Sequence, residues 1–160
     1  MFSRRKFLKA GFLGSIIFIS NGCGAFSATT PKETLTLLQE DLFPHANTMG
    51  INTKKYMQII LKHSRVSDED KEFIKNGVKW LNEDAVLLFD TTYVKLPYTK
   101  RQEVLKNISK TKWGKGFIRD NLTYIMEASF CDPVYGVANG QGWEWLDFKV
   151  GLPQPKEAYL

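Results

Sequence analysis

Between Ser67 and Asp90 a stripe of apolar residues falls at Phe73, Ile74, Val78, Leu81, Ala85, Leu88 and Phe89. That spacing of three and four gathers them on one side of an α-helix of about 20 residues. Ser67, with Asp70 three positions on, supplies a variant capping box for its start. The same period recurs at Leu35, Leu38 and Leu42 within 33–43, where Pro44 stops the run. It recurs again at Tyr56, Ile59, Ile60 and His63 within 52–63. After Pro97, the stretch Thr99-Lys100-Arg101-Gln102 predicts a capping box for a helix that buries Val104, Leu105 and Ile108. A last helix runs from about Trp113 to Phe130, with Phe117, Leu122, Ile125, Met126 and Phe130 expected inward. No alternating run is long enough for a strand, and no repeat is visible. The predicted fold is all-α, about five helices in a small irregular bundle.

The pattern changes at Cys131. Asp132 to Trp145 holds Gly136, Gly140 and Gly142 beside Tyr135, Trp143 and Trp145. A disordered tail is poor in such aromatics. Glycine frees the backbone for turns, while the rings must bury against something. Residues 131–160 therefore read as an ordered, irregular segment wrapping a surface, its own or a partner's.

The first 27 residues read differently again. Ser3-Arg4-Arg5-Lys6-Phe7-Leu8-Lys9 matches the twin-arginine export pattern. The apolar run that follows, Ala10 to Ile19, is about half of the roughly 20 residues a spanning helix needs. Two exits compete. Ala25-Phe26-Ser27 suits a conventional cut before Ala28, and Ser20-Asn21-Gly22-Cys23 is an imperfect lipobox. The division expected is a signal peptide over 1–27 and one helical domain over 28–160, with Ala28 to Pro31 as a short linker.

That division relocates the charge. The chain of 160 residues carries +5, but four of its 22 basic residues and none of its 17 acidic ones precede residue 28. The remainder, 18 against 17, carries +1. Nothing in it calls for nucleic acid or an anionic membrane as partner. Of the two cysteines, Cys23 leaves with the leader or takes a lipid, so Cys131 has no intramolecular disulfide partner.

Candidate chemistry is sparse. Gly114-Lys115-Gly116-Phe117 is no dinucleotide fingerprint, and no C-x-x-C-H motif is present for covalent haem. His45, His63 and one cysteine are too few for a closed zinc site. His45, just past a helix end, suits bonding to terminal carbonyls, and a cationic His63 suits a helix C-terminus. Asp68-Glu69-Asp70 belongs to a helix's first turn rather than to acid–base catalysis. Trp80, Trp113, Trp143 and Trp145 fit burial in a core or interface better than sugar stacking.

Three features occur together: the twin-arginine leader, Leu-Leu-Gln-Glu-Asp-Leu-Phe-Pro over 37–44, and Asp132-Pro133-x-Tyr135-Gly136 followed by Gly140-x-Gly142-Trp143. With Gly151-Leu152-Pro153 after them, they resemble the small subunit (subunit 3) of membrane-associated gluconate 2-dehydrogenase and related sugar dehydrogenases. Val137-Ala138 departs from the Gly-Gly that precedes Asn139 in that pattern.

The resemblance implies a complex of three subunits in the periplasm at the cytoplasmic membrane. A large flavin subunit holds FAD and oxidises the sugar or sugar acid. A multihaem cytochrome c subunit passes electrons on. The small subunit holds no cofactor and no catalytic or metal-binding residue. Ser3, Arg4, Arg5, Phe7, Leu8 and Lys9 would lead the folded flavin protein to the twin-arginine translocase. Cys131, Asp132, Pro133, Tyr135, Gly136, Trp143 and Trp145 would hold it, with Cys131 either buried as packing or disulfide-linked to the partner. A stand-alone exported lipoprotein or binding module is the alternative, and a small enzyme a more distant one.

Overall fold

The computed structural model describes residues 30–137, 141–149, 151 and 155–158. The export pattern from Ser3 to Lys9, both candidate exits, Asn139, Gly140 and Leu152-Pro153 lie outside the described residues. Among those described, every regular element is helical: α1 (Pro31–Leu42), α2 (His45–Thr48), α3 (Thr53–Lys62), α4 (Asp68–Phe89), α5 (Tyr98–Ile108), α6 (Lys112–Phe130) and α7 (Gln141–Trp145). Short 3-10 turns lie at Tyr93–Lys95 and Pro133–Tyr135. The all-α expectation holds.

The caps explain most boundaries. Ser67 Oγ accepts the Asp70 amide at 3.1 Å and donates to the Asp70 carboxylate at 2.7 Å, as the pattern predicted. Asn52 caps α3 and Thr111 caps α6 through the amides of Lys55 and Gly114. Thr30 and Pro31, the described part of the expected linker, are instead the start of α1. Thr30 and Glu33 form a reciprocal capping box, and Pro31 sits at the first helical position, where no amide is needed.

Two expectations are corrected here. Thr99 makes no capping box, because α5 already begins at Tyr98 with Pro97 as its cap residue. Gln102, expected to reach back to the helix start, lies 3.5 Å from the carbonyl of Asp41 on α1. The second correction concerns faces. Leu88 is 42 % exposed, and Leu122, Met126 and Phe130 are only half-buried. Their helices carry apolar stripes broader than the surface their neighbours cover.

α6 is the centre of the bundle and packs against α1, α3, α4, α5 and α7. Leu38, Leu81, Val104, Ile108, Phe117 and Ile125 are fully buried. A smaller cluster of Ala46, Ile51, Ala128 and Val137 lies where α2 and the start of α3 meet the end of α6. It is on this smaller cluster that the C-terminal segment docks.

Candidate functional site

α6 ends at Phe130, and Cys131 turns the chain into extended backbone (ψ 155°). The thiol of Cys131 is half-buried and donates to the Ala128 carbonyl at 3.3 Å. Pro133 opens a 3-10 turn, whose missing amide costs nothing at that position, and Gly136 ends it at φ 60°. The ammonium of Lys55 packs over Gly136, in the space a side chain there would fill. Val137 is then buried, and its carbonyl accepts the Asn52 amide at 2.8 Å. Tyr135 packs beside Val137 against the small cluster. Asp132 is half-buried and Pro133 exposed.

α7 brings the segment back onto α6. A Cβ on Gly142 would lie 2.1 Å from the Ser129 carbonyl oxygen, so only glycine lets the two backbones approach this closely. Trp143 donates its indole N–H to the Phe130 carbonyl at 3.0 Å, and its ring lies between Phe130 and Phe148. Trp145, Leu146 and Phe148 remain 62 %, 52 % and 58 % exposed. The residues expected at an interface thus divide: Tyr135 and Trp143 pack on their own chain, and Trp145 faces solvent.

The exposed rings continue onto α6. Ile118, Leu122, Met126 and Phe130, four residues apart in turn, form the floor of an open groove of about 730 Å³, edged by Lys115, Arg119 and Glu127. From Ile118 through Phe130 to Trp143 and Phe148, one apolar surface runs along α6 and across the docked segment. Sequence reasoning missed the α6 part by assigning the whole stripe to the core. A stripe broader than the buried face of a single helix was the available signal.

A second polar centre was also missed. Asp41, on the buried face of α1, accepts Nε and Nη2 of Arg101 at 2.6 and 2.9 Å and the hydroxyl of Tyr93 at 2.6 Å. Arg101 Nη1 donates to the Leu96 carbonyl at 2.8 Å. Asp41 belongs to the stretch over 37–44 that carried the resemblance. An acid three positions after Leu38, on the helix's apolar side, announces a buried cation. Burial, then the neighbouring carboxylate, pushes the Tyr93 hydroxyl well above its usual range. Both Asp41 carboxylate oxygens and all three Arg101 nitrogens are engaged, so the centre ties α1, α5 and the 3-10 turn together.

The histidines are not brought together. His45 opens α2, exposed, its ring edge-on to Phe43 at 6.3 Å. His63 ends α3, and its Nδ1 lies 3.1 Å from the Arg65 amide. The expected carbonyl-bonding role of His45 is replaced by its ring contact with Phe43, while His63 stands at the helix end where the sequence put it. Asp68, Glu69 and Asp70 occupy the first turn of α4, as expected. Among the described residues no group of three or more His, Cys, Asp or Glu is placed to hold a metal ion, and no helix is long and apolar enough to cross a membrane.

None of the curated proteins and none of the solved structures compared with the chain matches it. The sequence model of gluconate 2-dehydrogenase subunit 3 matches residues 29–151, from the cap of α1 through the docked segment. The chain therefore belongs to the gluconate 2-dehydrogenase subunit 3 family, the accessory subunits of multisubunit dehydrogenase complexes.

Proposed function

We propose that this protein is the non-catalytic small subunit of a periplasmic, membrane-associated, flavin-dependent gluconate or sugar dehydrogenase. In this reading it grips the flavin subunit, carries it folded through the twin-arginine route and stabilises it afterwards. FAD lies in that partner and haem c in a cytochrome subunit. The observation that carries the reading is the apolar groove from Ile118 to Phe130, joined through Trp143 to the exposed Phe148, with Trp145 and Leu146 also exposed on the same segment. Monomeric proteins rarely leave contiguous apolar surface of this kind uncovered, and rigid aromatics at its edge are typical binding anchors.

The export half rests on Ser3-Arg4-Arg5-Lys6-Phe7-Leu8-Lys9. A flavin protein loaded in the cytoplasm must cross the membrane folded. A tightly bound subunit with the signal can take it across.

The test begins with native purification of the tagged chain, which is expected to bring down a larger, yellow, flavin-containing protein. Arg4→Lys with Arg5→Lys should then leave both proteins in the cytoplasm, read as lost dehydrogenase activity in the periplasmic fraction. Unchanged periplasmic activity in that double variant would overturn the carrier role.

A further inference from the structure

A second groove, of about 470 Å³, lies between α1, α3 and α4, on residues the first surface does not use. Its floor is Leu35, Met57, Leu61, Ile74 and Val78. Its edge is cationic, with Lys32, Lys54, Lys62 and Lys75, and no acidic residue lines it. Lys75 is paired with Glu72 at 2.8 Å, but none of the ion pairs among the described residues uses Lys32, Lys54 or Lys62. We infer that this groove docks an acidic, amphipathic segment of another subunit, its apolar side on the floor and its carboxylates against the lysines.

The charges select this occupant over others. Lys54 and Lys62 are eight residues apart on one helix, about 12 Å at 1.5 Å per residue. A peptide with acids one or two turns apart meets lysines so spaced in sequence while its apolar side covers the floor. The chain's own leader carries Arg4, Arg5, Lys6 and Lys9 and no acid, so like charge disfavours it there. Helices form the walls and apolar side chains the floor, the setting in which an amphipathic segment lays its apolar face. Lysine stems cover apolar surface while the ammoniums stay in water, ready to pair at the rim.

The inference rests on the reading of the chain as a subunit, and its test keeps the two apart. The full chain, with p-benzoylphenylalanine in place of Gln58 on the groove wall, is purified with its native partners and irradiated. Mass spectrometry is expected to find a crosslinked peptide of another subunit, apolar and net negative. Lys54→Glu with Lys62→Glu should cut its yield at least tenfold, and Lys54→Arg with Lys62→Arg should keep it.

A crosslink to lipid, to the leader or to a basic or neutral peptide overturns the inference. So does the absence of any crosslink while the flavin protein still co-purifies. If no flavin protein co-purifies, the subunit reading fails and this inference falls with it.

Discussion

Trp143 caps the helix that precedes it: its indole N–H donates to the Phe130 carbonyl at 3.0 Å while the two rings meet edge to face at 5.0 Å. The last carbonyls of α6 lack intrahelical donors, so the side chain supplies one that the backbone cannot. Two residues on, Trp145 has most of its surface in solvent. One tryptophan holds the segment down, and the other stands in solvent, where the proposed partner would meet it.

Truncation should separate these roles. Trp143→Ala removes half-buried ring packing and a hydrogen bond, a loss of about 2 kcal/mol. The loss should appear as faster amide hydrogen exchange across 132–148, with the helical signal of α1–α6 preserved. Trp145→Ala should leave exchange unchanged and weaken binding to the flavin subunit about 30-fold, the effect of losing about 2 kcal/mol. Equal destabilisation by both changes would refute the division.

The Asp41 centre makes a stronger demand on stability. The Arg101 side chain is 14 % exposed and that of Asp41 3 %, so the pair is shielded from solvent screening. Asp41→Ala strands a guanidinium and a tyrosine hydroxyl and should cost about 3–5 kcal/mol, as loss of one partner of a buried pair does. Asp41→Asn keeps an acceptor and should cost less. Urea denaturation of the two variants, measured side by side, checks the order.

Alkali should attack through the tyrosines. Burial, followed by a hydrogen-bonded carboxylate, raises Tyr93 beside Asp41 and Tyr56 beside Glu127. Burial, followed by nearby acidic charges, raises Tyr124. In the unfolded chain these groups ionise near pH 10. Above that pH the unfolded state binds fewer protons than the native one, so stability must fall as pH rises. What these groups contribute is intact below pH 10 and is lost above it. Each tyrosine that stays protonated adds a slope of about 1.4 kcal/mol per pH unit. Tyr93→Phe should remove one such increment from denaturation curves between pH 10 and 11.5, at the expense of lower stability at neutral pH.

The legible parts of the fold were those fixed by local chemistry. Ser67 and Asp70, Asn52 at the start of α3, and the stop at Pro44 mark helix ends through groups a few residues apart. Thr99 failed because two rules competed for one helix start, and Pro97, with its φ fixed by its ring, won. Leu122, Met126 and Phe130 failed for a different reason. Periodicity reports that a stripe is apolar, but not whether this chain or another covers it. The Asp41–Arg101 pair spans 60 residues, and helical spacing carries no signal at that separation. The tail's aromatics were legible as rings that need a surface. Which of them anchors inward depended on the Gly142 backbone meeting Ser129, a contact that appears only once α6 and α7 are packed.

Cys131 offers the last test, because its position answers to two chemistries. An intersubunit disulfide would lock a carrier to its cargo, and the residue adjoins the proposed interface. Its thiol, however, is half-buried, donates to the Ala128 carbonyl at 3.3 Å and packs against the small cluster around Ala46 and Ile51. A disulfide needs the partner's Cβ within about 3.5–4.5 Å and a fixed torsion. Turning the thiol toward a partner would give up its bond to Ala128 and its packing on that cluster. Packing therefore outweighs linkage. The subunit should run at its own mass on a non-reducing gel of the purified complex, with thiols blocked at lysis. Cys131→Ser, which places a more polar group in that cluster, should cost about 1 kcal/mol and leave the complex assembled. A band at the summed mass of two subunits, lost on adding reductant, would reverse the assignment and make the docked segment a latch that opens to reach its partner.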